Sequence, residues 1–342
     1  MTMSATLSPS TRPIAETVVP EKAAPKKRRK FTGPADRGFS RVFRWIATAA
    51  AILILATLAA VAFFLIYRAI PAFTADEAAF AEVRGHIPRL NTLFGFIGTL
   101  IFGTLLAALL ALLLATPIAI GIALFISHYC PKRLAGIISY VVDLLAAIPS
   151  VVFGLWGAMV LAPHIRTFWG WIANALSLIP GLTVNNSATG RSVATASVVL
   201  AVMILPIITA VSREVFKQTP SLHEEAALAL GATRWEMVKM AVLPFGRSGV
   251  ISAAMLGLGR ALGETMAVLM ILSPGFLVSL QIFDGGQVQT IAAFIASMFP
   301  ESAGLTINVL IAAGLALFII SMAVNMTARW VVSRRAAFSG AN

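Results

Sequence analysis

The sequence predicts an all-α, polytopic membrane protein with six transmembrane helices, and three observations carry this prediction. Hydrophobic residues make up 58% of the 342 residues and charged residues only 12%, whereas roughly 25% of the residues in a soluble domain are charged. Uncharged runs long enough to cross a bilayer recur along the chain. Most of the 26 Lys and Arg residues lie at the ends of these runs, so the net charge of +12 indicates a membrane surface and not a nucleic-acid partner.

The six spans follow from the apolar runs and from the prolines that interrupt them. The run from Asn91 to Ser127 is too long for one straight crossing, and Pro117 is expected to divide it. Pro149 and Pro206 are expected to kink their helices. The predicted spans are about 45–67, 92–115, 137–161, 193–211, 250–272 and 305–326, with exposed loops at 68–90, 162–191 and 273–304. Trp169 and Trp171, in the second of these loops, are expected at a membrane interface.

The flanks of the membrane domain (39–335) are predicted to be two tails, 1–38 and 336–342. The first is rich in Pro, Ser, Thr, Ala and charge and includes a run of five basic residues. This composition is typical of a disordered cytoplasmic tail that touches anionic lipid, and it is too polar for a signal-peptide n-region. Lys and Arg also concentrate in segment 212–248, so the positive-inside rule predicts that this segment and both termini are cytoplasmic.

One polar segment, residues 221–244, interrupts the membrane-like sequence and reads SLHEEAALALGATRWEMVKMAVLP. Two residue pairs in it match the capping box that starts a helix, in which a Ser or Thr is followed three residues later by Glu. They are Ser221 with Glu224 and Thr233 with Glu236. The polar segment is therefore expected to contain two helix starts.

The ends of those two helices are also predicted. Gly231 is suited to terminate the first helix and Pro244 the second, which gives helices at about 222–230 and 234–242. Helices this short are marginal alone, so they need a surface to dock on, in this chain or in another. The alternative interpretation is a cytoplasmic loop that merely has helical content.

Arg260 and Glu264 are charged residues in the middle of predicted span 5. Because a charge inside a bilayer costs about 2.5–3.5 kcal/mol or more, such residues face a bundle interior or a wet pathway and usually pair. Gly259 and Gly263 lie beside them and would let another helix approach closely. One interpretation is a structural ion pair that fixes helix packing. The other is a substrate pathway, in which Arg260 meets an anion and Glu264 prevents the anion from being trapped.

Asp143 is the other acidic residue within a predicted span. It is expected to pair with Arg260 or to cap neighbouring backbone, a structural role being favoured over one in the pathway.

The other residues of the chain do not indicate a disulfide, a metal site, a catalytic site or an ATP-binding site. Cys130 is the single cysteine, and the four His residues are scattered without ligand spacing, so neither a disulfide nor a metal site is expected. No nucleophile–base constellation indicates a catalytic site. The chain lacks a GxxxxGK[ST] loop, so it is not expected to bind ATP or another cofactor itself.

The polar segment resembles the cytoplasmic signature loop of prokaryotic ABC importer permeases, in which EAA is followed by three residues, Gly, nine residues and I-x-L-P. Ala241 stands here where that pattern has Ile. The resemblance implies a type I-like permease fold whose coupling helices insert into a cleft on a separate ATPase subunit. It assigns to that coupling Glu225, Ala226, Gly231, Leu243 and Pro244.

Two membrane stretches narrow the resemblance. DLLAAIPSVVFGLWG at 143–157 and GLGRALGETMAV at 257–268 are similar to permeases of the phosphate-specific transport (Pst) system, the PstC-type more than the PstA-type. The similarity covers about residues 40–330, and the basic tail lies outside it. It implies functional importance for Arg260 and Glu264.

The same resemblance implies a bacterial inner-membrane complex and its partners. These are a second, PstA-type permease, two PstB-type ATPase subunits that bind ATP, and an extracytoplasmic PstS-type phosphate-binding protein, with inorganic phosphate as substrate. Import of another oxyanion, such as sulfate or molybdate, remains an alternative on the residues alone. A secondary transporter or channel driven by an ion gradient is an alternative of another class, and it would leave the polar segment without a role.

Overall fold

The computed structural model describes residues 36–87, 92–178 and 184–336, and within those ranges it is helical without any β-strand. Most of the predicted tails, including the basic run, lies outside the described residues. The first helices are α1 (Asp36–Thr74), α2 (Glu77–His86), α3 (Leu93–Leu124), α4 (Lys132–Ala146), α5 (Ser150–Trp156), α6 (Ala162–Leu176) and α7 (Val193–Lys217). The others are α8 (Ser221–Ala229), α9 (Arg234–Met237), α10 (Leu243–Leu262), α11 (Met266–Ile271), α12 (Ile291–Met298) and α13 (Leu305–Ala336).

Six helical stretches of the described residues are long and apolar enough to cross a membrane, which confirms the all-α fold with six spans. Two of them join two helices through a π-helical turn, and a third ends in such a turn. They are Arg41–Thr74, Leu93–Tyr129, Ser150–Leu176, Val193–Lys217, Arg234–Leu262 and Leu305–Trp330.

The third stretch lies elsewhere than the predicted span at 137–161. α4 ends at Ala146, and a new helix starts at Ser150 and continues to Leu176 through a π-helical turn. Pro149 is therefore a break and not a kink, because proline lacks an N–H and disfavours helical backbone in the residue before it. The predicted loop at 162–191 is consequently helical over its first half.

Pro117 does not divide its helix, and this prediction was wrong. α3 runs through it from Leu93 to Leu124. The predicted loop at 68–90 is also largely helical, since α1 extends to Thr74 and α2 follows it. Long apolar helices tolerate an internal proline when neighbouring helices hold them.

Trp169 is buried and not at an exposed interface, whereas Trp171 is exposed as expected. The indole N–H of Trp169 donates a hydrogen bond to the Thr195 hydroxyl at 2.9 Å. This contact joins α6 to the first turn of α7, because a buried indole needs a partner for its N–H.

The predicted loop at 273–304 is partly buried. Val288 and Gln289 are nearly inaccessible, and α12 follows them. The backbone N–H of Ile291 donates to the Thr104 hydroxyl on α3 at 3.0 Å. This segment therefore packs into the bundle, where side chains satisfy its backbone groups.

The centre of the bundle is the contact between α3 and α7. α3 presents a ridge of fully buried alanines at every fourth position, and the ridge consists of Ala107, Ala111, Ala115, Ala119 and Ala123. Small residues at this spacing line up on one helix face and let a second helix approach closely. The Ser197 hydroxyl of α7 donates to the backbone carbonyl of Ala107 at 3.2 Å.

Contacts divide the chain into two compact units, Met1–Leu58 and Ala59–Asn342. The described part of the first unit is the beginning of α1. The second unit contains the bundle, and an apolar cluster at one of its ends joins α3 and α7 to the polar segment. That cluster consists of Ala123, Leu124, Phe216, Ala227, Met237, Val238 and Val242.

Candidate functional site

The first helix of the polar segment ends at Gly231 as predicted. Gly231 has φ +86°, a left-handed conformation that glycine adopts without strain. Its N–H donates to the Leu228 carbonyl at 3.0 Å, and the N–H of Ala232 donates to the Ala227 carbonyl at 3.2 Å. These two bonds form the Schellman motif, which satisfies carbonyls at a helix C-terminus.

Only one of the two predicted capping boxes exists. The Thr233 hydroxyl accepts from the Glu236 N–H at 3.3 Å, and the Glu236 carboxylate accepts from the Thr233 N–H at 2.8 Å. The prediction for Ser221 was wrong, because α8 begins at Ser221 itself and Pro220 occupies the capping position without a side-chain bond. A residue inside the first turn is past the position from which a hydroxyl caps that turn.

The second helix of the polar segment does not end at Pro244, contrary to the prediction. α9 continues through a π-helical turn, Val238–Val242, directly into α10, so the helix is continuous over Arg234–Leu262. Pro244 lies in the first turn of α10, immediately after the widened turn. A widened turn relieves the clash that a proline ring makes with the carbonyl four residues earlier.

The polar segment is held against the ends of α3 and α7. The imidazole Nε2 of His128 lies 3.3 Å from Oε1 of Glu224, and both side chains are largely buried. The other ring nitrogen of His128 lies 2.7 Å from the Ser127 hydroxyl. The helices therefore dock on their own chain, as their short length requires.

The opposite face of the polar segment is open. Glu225, Ala226 and Gly231 are all exposed, and so are two large apolar side chains, Leu222 and Leu230 at 72% and 88%. A groove of about 370 Å³ lies beside them, lined by Leu222, His223, Ala226, Ala227, Met240 and Ala241. Exposed apolar side chains on a polar segment are typical of a protein-binding surface.

Arg260 and Glu264 do not lie on one continuous helix. α10 ends at Leu262, and α11 starts at Met266. Glu264 is 9% exposed, and its Oε1 accepts a hydrogen bond from the Ala267 N–H at 3.2 Å. Glu264 thus caps α11, which is favourable because a carboxylate complements the positive end of a helix.

Arg260 is half-buried, and the described residues provide neither a hydrogen bond nor an ion pair for its guanidinium. The two glycines beside it are exposed. A Cβ added at Gly259 would meet nothing within 4 Å, and one at Gly263 would approach only its own helix. The Gly259–Gly263 ridge is therefore unoccupied by the described part of this chain and leaves Arg260 accessible.

Asp143 does not make the predicted ion pair with Arg260. It is on α4, and its Oδ2 is 4.0 Å from Nη2 of Arg213 on α7. Arg213 is a buried cation that the sequence analysis did not single out. The sequence gives only a weak indication of this role, because Arg213 lies near the end of an apolar run, where charged residues are common.

Comparison with known families matches residues 115–336 to the binding-protein-dependent transport system inner membrane component family. The chain is 46% identical over 304 residues to the phosphate transport system permease protein PstC 2 of Mycobacterium tuberculosis, covering 86% of this chain and 92% of that protein. It is 47% identical to PstC of Mycobacterium leprae over 80% of this chain and 87% of that protein. It is 37% identical to PstC of Mesorhizobium japonicum over 88% and 92% of the two chains.

Solved structures support the fold. One similar structure is a bacterial alginate ABC transporter in complex with an alginate pentasaccharide-bound periplasmic protein, with a TM-score of 0.59, 17% identity, and coverage of 88% of this chain and 96% of that chain. Another, of a bacterial ABC transporter involved in the import of alginate, gives a TM-score of 0.56 at 19% identity over 87% and 99% of the chains. The helical arrangement is thus that of an ABC importer permease.

Proposed function

The chain belongs to the family of binding-protein-dependent transport system inner membrane components, and within it to the PstC phosphate permeases; from this membership we infer that it is the permease subunit of an ATP-driven importer of inorganic phosphate. It is a transport subunit and not an enzyme. The observation that carries this function is the identity of 46% to a PstC permease, maintained over 92% of that relative.

Arg260 is proposed to contact phosphate during transport. Its guanidinium is half-buried and makes no ion pair with the described residues, so its charge is available. A guanidinium offers a planar set of donors that matches the oxygens of phosphate. Glu264 is proposed to limit the dwell time of the anion, because a carboxylate four residues along the chain from Arg260 opposes tight retention of a negative charge.

ATP binds and is hydrolysed on a separate subunit in this proposal, and the polar segment docks on that subunit. Glu225, Ala226 and Gly231 lie on its open face, together with exposed Leu222 and Leu230. A helix that projects apolar side chains from a polar surface is suited to a groove in a partner.

Leu243 and Pro244 have a different part in the proposed coupling. They are the last residues of the polar segment and lie within the continuous helix Arg234–Leu262, so they connect its exposed part to Arg260 and do not contact the ATPase themselves. A continuous helix transmits displacement along its axis, because its hydrogen bonds keep it stiff. A movement of the polar segment would therefore reach the end of α10.

The open Gly259–Gly263 ridge is the proposed contact with a second, PstA-type permease. Small residues spaced by four are typical of helix–helix contacts in membranes. The complete importer would add two PstB-type ATPase subunits and an extracytoplasmic PstS-type phosphate-binding protein. The polar segment and both termini would face the cytoplasm, as the Lys and Arg distribution predicts.

The experiment that tests the substrate is a competition assay in cells that lack other phosphate importers and express the complete complex. Uptake of radiolabelled phosphate is measured against excess unlabelled phosphate, sulfate or molybdate. We expect only phosphate to compete. Inhibition by sulfate or molybdate equal to that by phosphate would overturn the proposed substrate and favour a general oxyanion importer.

A further inference from the structure

Arg213 is an unusual cation because it is buried and incompletely paired. Its side chain is 10% exposed, and Nη2 lies 3.1 Å from Oε1 of its neighbour Glu214. Nη1 is buried, and none of the residues that the structure describes offers it a hydrogen-bond partner. A buried guanidinium nitrogen without a partner is costly, so a further acceptor that approached Arg213 would be favourable.

The second carboxylate near Arg213 belongs to another helix. Oδ2 of Asp143 on α4 lies 4.0 Å from Nη2 of Arg213 on α7. This separation is within reach of attraction but beyond hydrogen-bond distance. A small displacement of α4 relative to α7 would therefore close or open the pair, and this makes the contact sensitive to helix movement.

Arg213 is one turn from the end of α7 at Lys217, and three residues then lead to α8 of the polar segment. A displacement of α8 would consequently move this end of α7 before the rest of the helix. Arg213 therefore lies at the end of α7 that is connected to the polar segment.

On the other side of the Asp143–Arg213 contact, a series of connected helices links Asp143 to Glu264. α4 is joined to α5 by the short connection that contains Pro149. α5 lies directly on α11, because a Cβ added at Gly154 would be only 2.7 Å from Cα of Ala267. The N–H of that same Ala267 donates to Glu264 at 3.2 Å.

We propose that the Asp143–Arg213 contact transmits movement of the polar segment to Glu264 through α4, α5 and α11. Asp143 and Arg213 act as positioning residues, which set where Glu264 lies without touching phosphate. This route is additional to the continuous helix that ends near Arg260. The inference rests on the proposed function, since a partner ATPase must move the polar segment. Such coupling requires packed elements and a contact with two arrangements; the proposal takes the 4.0 Å separation as one arrangement and a closed Asp143–Arg213 pair as the other.

The experiment uses the complete complex in lipid nanodiscs, with a reporter thiol beside Glu264. Cys130→Ser removes the single native cysteine, and Met266→Cys introduces the reporter at the first residue of α11, where the side chain is exposed. The rate at which a water-soluble maleimide labels Met266→Cys is measured without nucleotide and with ATP plus vanadate. This readout does not depend on the identity of the substrate.

In the parent complex we expect ATP plus vanadate to change the labelling rate by roughly fivefold or more, the lower range of typical allosteric coupling. Asp143→Asn should move the ratio of the two rates towards one while the ATPase subunits remain bound, because only the route through α10 is then left. Asp143→Glu, which keeps the carboxylate, should restore the ratio. Glu214→Gln is the matched control: it removes the other carboxylate beside Arg213 but leaves the link between α4 and α7, so the ratio should stay at the parent value.

An unchanged ratio in Asp143→Asn would overturn the inference, and so would a parent complex in which nucleotide does not alter labelling. If Asp143 has a purely structural role, Asp143→Asn would lower the yield of complex and leave the ratio of labelling rates unchanged. That outcome would also contradict the inference. Failure of the proposed function gives a result that differs from failure of this inference, because the chain would then not co-purify with an ATPase subunit at all.

Discussion

The Glu264 carboxylate accepts a hydrogen bond from the Ala267 N–H at 3.2 Å and makes no ion pair with Arg260. Arg260 and Glu264 lie four apart in the sequence, yet their side chains do not pair with each other. Glu264 holds the start of α11 in place, while Arg260 remains available at the end of α10. The acid therefore has a structural contribution that can be measured apart from its contribution to transport.

Glu264→Gln is expected to keep the helix cap and lose the charge, because a side-chain amide oxygen also accepts a hydrogen bond. The thermal unfolding midpoint of the purified complex should stay near the parent value, while phosphate uptake falls by about tenfold or more. Glu264→Ala should lose the cap as well and destabilise the protein by about 1 kcal/mol. Parent-level uptake in Glu264→Gln would remove Glu264 from the transport pathway.

Arg260→Gln is expected to reduce phosphate uptake by more than about 30-fold, because losing one partner of a buried charged hydrogen bond costs about 2–5 kcal/mol. Membrane abundance and co-purification with the second permease should be unaffected. Arg329→Gln is the control, since Arg329 is exposed on another apolar helix. Retained uptake in Arg260→Gln with normal abundance would contradict the role of Arg260.

Gly231→Ala is expected to weaken binding of the ATPase subunit. A Cβ at Gly231 meets nothing within 4 Å, so the only penalty is the left-handed backbone at φ +86°. That penalty is about 1–2 kcal/mol for an L-residue, which corresponds to a roughly tenfold weaker affinity if binding needs this turn. Affinity is measured by titrating detergent-solubilised permease with ATPase subunit. Gly121→Ala, also in open space but within α3, should bind normally, and equal affinities for the two variants would contradict the docking proposal.

Thr233→Ala is expected to destabilise the start of α9 by about 1 kcal/mol, because it removes the hydroxyl of the capping box. Hydrogen exchange of residues 234–242, followed by mass spectrometry, should accelerate about fivefold at this cost. Ser221→Ala is a matched control at the start of α8, where the structure shows no side-chain cap. Equal protection in Thr233→Ala and the parent would show that the capping box does not stabilise this helix.

The features that sequence alone predicts correctly are those set by local rules. Six spans follow from apolar runs, because a bilayer demands continuous hydrophobic helices. Gly231 and the Thr233–Glu236 pair end and start helices through bonds to their immediate neighbours. No knowledge of distant residues is needed for any of these.

Most of the wrong predictions concern prolines and charges whose surroundings are not local, although the capping box predicted at Ser221 failed at a purely local position. Pro117 and Pro149 have the same ring, yet one lies within a helix and the other at a break. Pro244 is accommodated by a π-helical turn that no simple periodicity reveals. Asp143 lies near Arg213, 70 positions away in the sequence, and only the packing of α4 on α7 brings the two together.

This chain is proposed to carry phosphate only when a partner subunit hydrolyses ATP. The most direct measurement uses proteoliposomes that contain the whole complex, with phosphate-loaded binding protein on one side and ATP on the other. Phosphate uptake and ATP hydrolysis are followed in the same vesicles, with and without an imposed proton or sodium gradient. We expect uptake to require both ATP and the binding protein and not to respond to the gradient. Uptake that a gradient drives in the absence of ATP would show that the chain is a secondary transporter or channel.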